Sequence, residues 1–213
     1  MTIPLSILDL APISAGSTAQ QALRNTIDLA QHAEQWGYRR YWLAEPHFVS
    51  VASSSSITLI GLVAAATTRI RVGSAAVQVG HHTSASIVEA FGTIDALYPG
   101  RLDLGLGRSG HRRTQFGAQP THPKGGHPVV DTVTGRTEVR DVVVFQPPFD
   151  PGRITDRSRF IASLGALQQQ GAQAPDFPDQ VEEVRALLNG TYKSAEGIAL
   201  HAVPGEDAQV ELW

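Results

Sequence analysis

The sequence predicts an α/β fold of the (β/α)-barrel type with four to five βα units. As far as residue 108, short apolar runs rich in strand-forming residues alternate with longer stretches of helical period. Predicted strands begin near residues 5, 40, 70 and 101, so each interval equals one βα repeat. Eight repeats need about 250 residues, and the chain has 213. We therefore expect an incomplete barrel, either a fragment or a naturally short protein.

The elements of this first part follow from local signals. The predicted strands span Leu5–Leu10, Arg40–Ala44, Ile70–Val79 and Arg101–Leu106. The predicted helices run from about Thr18 to Gly37, from the serines at 53–56 to about Thr67, and from about Ser84 to Leu97. Gly37 supplies a helix stop, the serines supply N-cap candidates, and Pro99 cannot continue a helix. These signals together predict parallel strands joined by helices.

The second part of the chain has a different character. Residues 109–178 are predicted to be an irregular, insertion-like segment, because 109–155 are dense in Gly, Pro and His. One strand is predicted within it, at Val139–Phe145, followed by a weak helical pattern at Arg159–Gln170. A clear helix is predicted at Asp179–Leu188 and a last strand from Gln209. We expect residues 1–213 to form a single barrel domain that is truncated.

Composition and charge exclude several classes of protein. Hydrophobic residues make up 42% and charged residues 17%, which is typical of a globular chain. A net charge of −3 and a pI near 6.2 give no footprint for nucleic acid or an anionic membrane. The absence of Cys excludes disulfides, thiolate nucleophiles and Cys-based metal sites. With no basic leader and no long apolar run, the chain is expected to be cytoplasmic.

Several strings, taken in order, resemble the bacterial-luciferase-like flavin monooxygenases. They are "LSILDLAPI" at the start, "YWLAEPHF" at 41–48, and "VGSAAVQVGHHTSASIVEAFGTIDALYPGRLDLGLGRSG" at 72–110. The resemblance covers about residues 1–117, and "DQVEEVRALLNGTY" at 179–192 is similar to the helix before the fifth strand. It implies a TIM (β/α)8 barrel that binds reduced FMN, or in some relatives a deazaflavin, at the carboxyl ends of the strands. Such enzymes activate O₂ and oxidise small organic molecules.

Glu45 and His47 follow the second predicted strand, where barrel enzymes keep their sites. The resemblance implies that both are catalytic, with the carboxylate and imidazole orienting a flavin and shuttling protons. The alternative is that Glu45 caps a neighbouring helix and His47 packs in a polar loop. Many relatives carry a His-His pair after the Glu, and here Pro46 takes the first place. Proline has no titratable group, so either His47 has taken over proton transfer or this base is lacking.

Small and basic residues follow the third and fourth strands. Ala75 and Ala76 leave room for a flat ring to approach the backbone, and the resemblance implies a non-prolyl cis peptide between them, beneath the flavin. The alternative is tight helix–sheet packing. The resemblance also implies that Arg108 and Ser109 bind the cofactor, with the guanidinium near its phosphate; the alternative for Arg108 is a solvated surface position.

Two other patterns admit competing interpretations. His81 and His82 are predicted to line the flavin or substrate pocket, with a contact to the next helix as the alternative. We expect no metal site, because adjacent histidines on a loop rarely face one ion and no carboxylate follows closely. The glycines of "GLGRSG" at 105–110 have dinucleotide-loop spacing, but that fingerprint belongs to a first βα turn that opens a helix.

Two functions remain open from the sequence. The first is a flavin-dependent monooxygenase whose partners are a small-molecule substrate, O₂ and a flavin reductase. The alternative is a non-catalytic or degenerate relative that acts as a partner subunit, which Pro46 and the irregular segment favour. A homodimer is expected in either case, because an open half-barrel would leave the first and fourth strands with unpaired edges.

Overall fold

The computed structural model describes residues 3–108, 139–140, 143–144, 166–167 and 176–213. The strands are β1 Ser6–Asp9, β2 Arg40–Leu43, β3 Arg71–Gln78, β4 Leu102–Gly107, β5 Val139–Arg140, β6 Val143–Val144 and β7 Glu211–Leu212. The helices are α1 Ala19–Gln35, α2 Ser56–Ala66, α3 Ser84–Leu97 and α4 Phe177–Leu188, with a short 3₁₀ helix at Val79–His81. The chain divides into two compact units, residues 1–111 with 167–213, and residues 112–166.

The first unit is built on a parallel sheet of five strands in the order β1-β2-β3-β4-β7. The predicted α/β class is therefore confirmed, and over the described residues the sheet is not closed into a barrel. The prediction that the fourth strand has a free edge is wrong, because β7 pairs with β4. Backbone hydrogen bonds of 3.0 Å join Trp213 to Leu104 and Leu106. β1 and β7 are thus the edge strands of the described sheet.

The core lies between one face of this sheet and the helices that connect its strands. Its largest fully buried side chains come from strands and helices alike: Tyr41, Leu43, Ile60, Phe91, Leu102 and Leu104. Thr18 caps α1 by accepting a hydrogen bond from the Gln21 amide, and Thr83 caps α3 in the same way. α4 packs beside α3, where the Ser84 hydroxyl donates to Glu183. No helix in the described ranges is long and apolar enough to span a membrane.

A buried carboxylate links the end of β1 to α1 and β2. Asp9 accepts hydrogen bonds from the Thr26 hydroxyl at 2.6 Å and the Tyr41 hydroxyl at 2.7 Å. Its other oxygen accepts from the Ala11 amide at 2.8 Å. Burial, together with the hydrogen bond to Asp9 and its charge, raises the pKa of Tyr41. The phenol therefore stays protonated and keeps donating to Asp9, which fixes α1 against the sheet.

The predicted strands of the first half differ from the observed ones by at most one residue at each end, the first two helices differ by up to three, and α3 has the predicted bounds. The prediction of a single strand at Val139–Phe145 is wrong. β5 and β6 pair antiparallel, with Val139 opposite Val144, so the chain reverses within that range. A valine-rich run predicts extended chain but does not indicate where one strand ends and the next begins. The predicted helix at 159–170 falls outside the described residues except for 166 and 167.

Glu34 joins the end of α1 to the turn before β3. Its carboxylate accepts hydrogen bonds from the backbone amides of Thr68, Arg69 and Ile70, at 2.9, 2.6 and 2.9 Å. Burial opposes ionisation, but these hydrogen bonds outweigh it and lower the pKa of Glu34 from 4.5 to about 2. A carboxylate with a lowered pKa stabilises the fold above pH 4.5 and loses that contribution as the pH falls toward 2.

We expect Glu34→Gln to lower the free energy of unfolding by about 1 kcal/mol at pH 7, since this solvent-accessible carboxylate is partly screened. The difference from the unmodified chain should shrink between pH 4.5 and 2. Urea unfolding at several pH values measures it. Glu182→Gln is the control, because Glu182 is exposed and its contact is a long one, 3.5 Å to the exposed side chain of Arg185. A pH-independent difference for Glu34→Gln would contradict this account.

Candidate functional site

The carboxyl ends of β2 and β3 bring three of the predicted site residues together. Glu45 and His47 follow β2, and His82 follows the 3₁₀ helix after β3. The Nε2 atom of His82 lies 3.0 Å from Glu45 Oε1, within hydrogen-bond distance. The Nε2 atom of His47 lies 3.7 Å from the same oxygen. One carboxylate oxygen therefore faces two imidazoles.

Glu45 is buried, with only 3% of its surface exposed, and its polar atoms are well partnered. The Ser56 hydroxyl donates a short hydrogen bond to Oε2, and the Gln78 amide donates to Oε1 at 3.4 Å. Burial acts to raise the pKa of Glu45, but the hydrogen bonds from His82 and Ser56 and the charge of His82 lower it below its ordinary value. Glu45 is therefore a buried anion at neutral pH.

The same contacts bear on the alternative that Glu45 caps a neighbouring helix. Glu45 contacts the first residue of α2, but through a hydrogen bond from the side-chain hydroxyl of Ser56 and not from its backbone amide. The side-chain amide of Gln78 also donates to the main-chain carbonyl of Glu45 at 2.6 Å, which ties the loop after β2 to the end of β3. In the sequence Ser56 is recognisable only as one of several cap candidates, and no local signal marks Gln78.

His47 and His81 complete this group. Their rings meet edge to face with centroids 5.4 Å apart, and His81 Nε2 lies 3.1 Å from Gln78 Oε1. The Nε2 atom of His47 is buried and makes no hydrogen bond to the described residues. We call Glu45, His47, Gln78, His81 and His82 the Glu45 cluster. Among the described residues, no group of three or more His, Cys, Asp or Glu has the arrangement of a metal site.

Ala75 and Ala76 lie in β3, three and two residues before Gln78. The peptide bond between them is cis, as the resemblance implied. The pairing of β3 with β4 shifts register between Ser74 and Val77. Ala75 is exposed and Ala76 half-buried, whereas Ser74 is fully buried. Helix–sheet packing therefore does not account for the small side chain of Ala75, which is open to solvent.

Glycine on the neighbouring strand allows β4 to approach this segment closely. Ser74 Oγ donates to the carbonyl of Gly105 at 2.9 Å and accepts from its amide at 3.0 Å. A Cβ atom on Gly107 would lie 3.0 Å from Ala76 Cβ. Both glycines belong to β4 itself, so their spacing serves strand packing in the described structure. This agrees with the rejection of a dinucleotide loop at this position.

Arg108 follows β4 directly and is exposed. Its guanidinium lies over the ring of Phe177, 5.3 Å from the centroid, at the start of α4. No local pattern in the sequence links Phe177 to Arg108, because the two residues are 69 positions apart. Ser109, the second predicted cofactor-binding residue here, lies outside the described residues.

Comparison with known proteins places these features in a family. Residues 3–128 match the family model described as luciferase-like monooxygenase. The uncharacterized protein YvbT of Bacillus subtilis is 36% identical over 210 residues, which cover 98% of this chain and 48% of that protein. A luciferase-like monooxygenase of Escherichia coli K12 is 51% identical over 109 residues, or 51% of this chain and 32% of that protein.

A solved structure agrees with the sequence relatives. The crystal structure of apo-MsnO8 superposes with a TM-score of 0.66 at 26% identity, covering 99% of this chain and 48% of that one. The chain thus spans about half the length, or less, of the proteins it matches. The matched region includes β1 to β4 and the whole Glu45 cluster. This chain belongs to the luciferase-like monooxygenase family.

Proposed function

We propose that the protein acts as a flavin-dependent monooxygenase, which uses reduced flavin and O₂ to oxidise a small organic molecule. The observation that carries the proposal is the Glu45 cluster at the carboxyl ends of β2 and β3, with Ala75 and Ala76 shortly before Gln78 in the same strand. Family membership supports the oxidoreductase class. Barrel enzymes keep their sites at the carboxyl ends of strands, and the cluster lies there.

The residues on this surface fit a flavin. Ala75 and Ala76 present small side chains on which a flat ring system can pack. Arg108 carries an exposed guanidinium one residue beyond β4, and its fork of donors suits the phosphate of FMN. When bound, the reduced flavin would supply the electrons that activate O₂. A deazaflavin would use the same surface, so parallel titrations with FMN and a deazaflavin distinguish the two cofactors.

The chain's own residues would orient the reactants and manage protons. Buried Glu45 remains an anion and holds His82 by a hydrogen bond. His47 has a side chain that is 17% exposed and a buried Nε2 that faces Glu45, so it would exchange a proton with a molecule bound at the strand ends through Nδ1. Pro46 occupies the place that carries a histidine in many relatives, so we assign the proton-transfer role to His47.

A titration of the purified chain with FMN, first oxidised and then reduced without oxygen, tests the flavin site. We expect saturable binding of reduced FMN, and about tenfold weaker binding for Arg108→Ala, the loss of one charge-assisted contact. Arg185→Ala is the matched control, because Arg185 is exposed on the outer part of α4. No saturable binding, or equal affinities for the two variants, would contradict the proposal.

The second candidate is a non-catalytic partner subunit, and Pro46 is the observation that favours it. Binding of reduced FMN without any oxidised product from a panel of small organic substrates would support that candidate. Formation of a monooxygenated product would exclude it. The same assay, run with and without a separate flavin reductase, tests whether the reduced cofactor has to be delivered.

We also propose that the chain forms a homodimer. Among the described residues, β1 and β7 are edge strands with one neighbour each, and unpaired edges favour association. Sedimentation velocity should show twice the mass of the chain. A single species with the mass of one chain would contradict this part of the proposal.

A further inference from the structure

The shared oxygen of Glu45 imposes a constraint on the two histidines that face it. His82 Nε2 lies 3.0 Å from Glu45 Oε1 and His47 Nε2 lies 3.7 Å from it. The other oxygen, Oε2, accepts from Ser56 and so has its own donor. Both imidazoles therefore face the same carboxylate oxygen, Glu45 Oε1, which can stabilise a positive charge on either ring.

Like charges at this spacing disfavour one another. An imidazolium beside a carboxylate is stabilised, but a second one on the same oxygen meets the positive charge of the first. Three further groups of the described structure contact these residues: Ser56 at the start of α2 and Gln78 at the end of β3 donate to Glu45, and the His81 ring packs against that of His47. Only His81 titrates among these three, and its Nε2 atom already faces Gln78 Oε1 at 3.1 Å. Glu45 is thus the carboxylate that both histidines share.

The two histidines differ in their access to solvent and to this partner. The side chain of His82 is 32% exposed and holds the closer contact, whereas His47 is 17% exposed with Nε2 buried. When His47 carries a proton on both ring nitrogens, its positive charge faces Glu45 Oε1, which lies 3.7 Å from Nε2. His82 competes for that oxygen whenever it is itself protonated.

We propose that His82 and His47 titrate as a coupled pair through Glu45 Oε1, a proton on one opposing a proton on the other. His82 is then a positioning residue that sets the pH at which His47 accepts a proton. In that step an O–H or N–H bond of the bound molecule breaks and an N–H bond forms on the imidazole, while Glu45 stays an anion. The identity of the bound molecule rests on the proposed function, whereas the coupling does not.

Proton NMR titration of the histidine rings in the flavin-free chain tests the coupling directly. In His82→Gln, glutamine can still donate to Glu45 but carries no charge, so the titration curve of His47 should move up by about one pH unit. In His47→Gln the curve of His82 should move little, because His82 holds the closer contact with Glu45 and takes its proton while His47 is still neutral. His201→Gln is the matched control, since it removes an imidazole 2.7 Å from Glu206 at an exposed site.

An unchanged His47 curve in His82→Gln, or a downward shift, would overturn the proposal. The fold of each variant is checked from the dispersion of its amide signals. If His82→Gln fails to fold, His82→Asn, which also carries an uncharged amide, takes its place with the same expected shift of His47. No flavin is present in this experiment, so a failure to bind FMN and a failure of the coupling are separate results.

Discussion

Asn in place of Asp103 is expected to lower the free energy of unfolding by about 3–5 kcal/mol, the range for removing one partner of a buried ion pair. The Asp103 side chain is fully buried in β4. It lies 3.0 Å from Arg40 Nε and 2.7 Å from a terminal nitrogen of Arg71, and the Trp213 indole lies 3.3 Å away. Because both guanidinium groups are mostly buried, losing the carboxylate leaves their charges poorly compensated.

Glu211 provides the matched control for this result. It pairs with the same two arginines, at 2.8 Å from Arg40 and 3.3 Å from Arg71, but its side chain is 51% exposed. Water can replace that carboxylate, so Glu211→Gln should cost less than about 1 kcal/mol. Urea unfolding of both variants measures the difference. Equal costs for the two substitutions would show that burial of Asp103 does not govern this network.

Leu in place of Ala75 is expected to weaken binding of reduced FMN at least tenfold, with little change in stability. Ala75 is exposed on β3, so a larger side chain meets no core atoms, but it would stand on the surface where we propose the flavin ring packs. A loss of about 1.4 kcal/mol of binding free energy corresponds to that factor. Fluorescence titration measures affinity, and urea unfolding measures stability.

Ala65→Leu is the control for this substitution, since Ala65 is an exposed alanine on α2, outside the Glu45 cluster. It should leave the affinity for reduced FMN unchanged. If Ala75→Leu bound FMN as tightly as Ala65→Leu, the flavin would not pack on this part of β3. Weaker binding accompanied by a large loss of stability would instead point to a structural role for Ala75.

The sequence predicted the elements of the first half closely because their signals are local. Thr83 and Pro99 mark the two ends of α3 within a few residues, and strand runs are recognised from short stretches of chain. The pairing of β7 with β4 could not be predicted in this way. It joins Leu104 to Trp213 across more than a hundred residues, and no periodicity encodes the partner of an edge strand.

In the candidate site too, the residues can be recognised from local sequence, but the contacts between them cannot. Glu45, His47 and His82 are recognisable in the sequence because each follows a predicted strand. Their mutual distances, and the hydrogen bond from Ser56, depend on how α2 and the loop after β3 pack, which local patterns do not determine. The charge of Arg108 makes it a candidate from the sequence, but its contact with Phe177 depends on the placement of α4.

Reduced flavin is proposed to bind at the carboxyl ends of β2 and β3. Amide chemical shifts of the isotope-labelled chain, recorded with increasing reduced FMN, locate the binding surface. We expect the largest changes at Ala75, Ala76 and His82, and none at Arg40 or Arg71, which begin their strands at the opposite end of the sheet. Changes concentrated at Arg40 and Arg71, or no changes with FMN in large excess, would show that the flavin does not bind there.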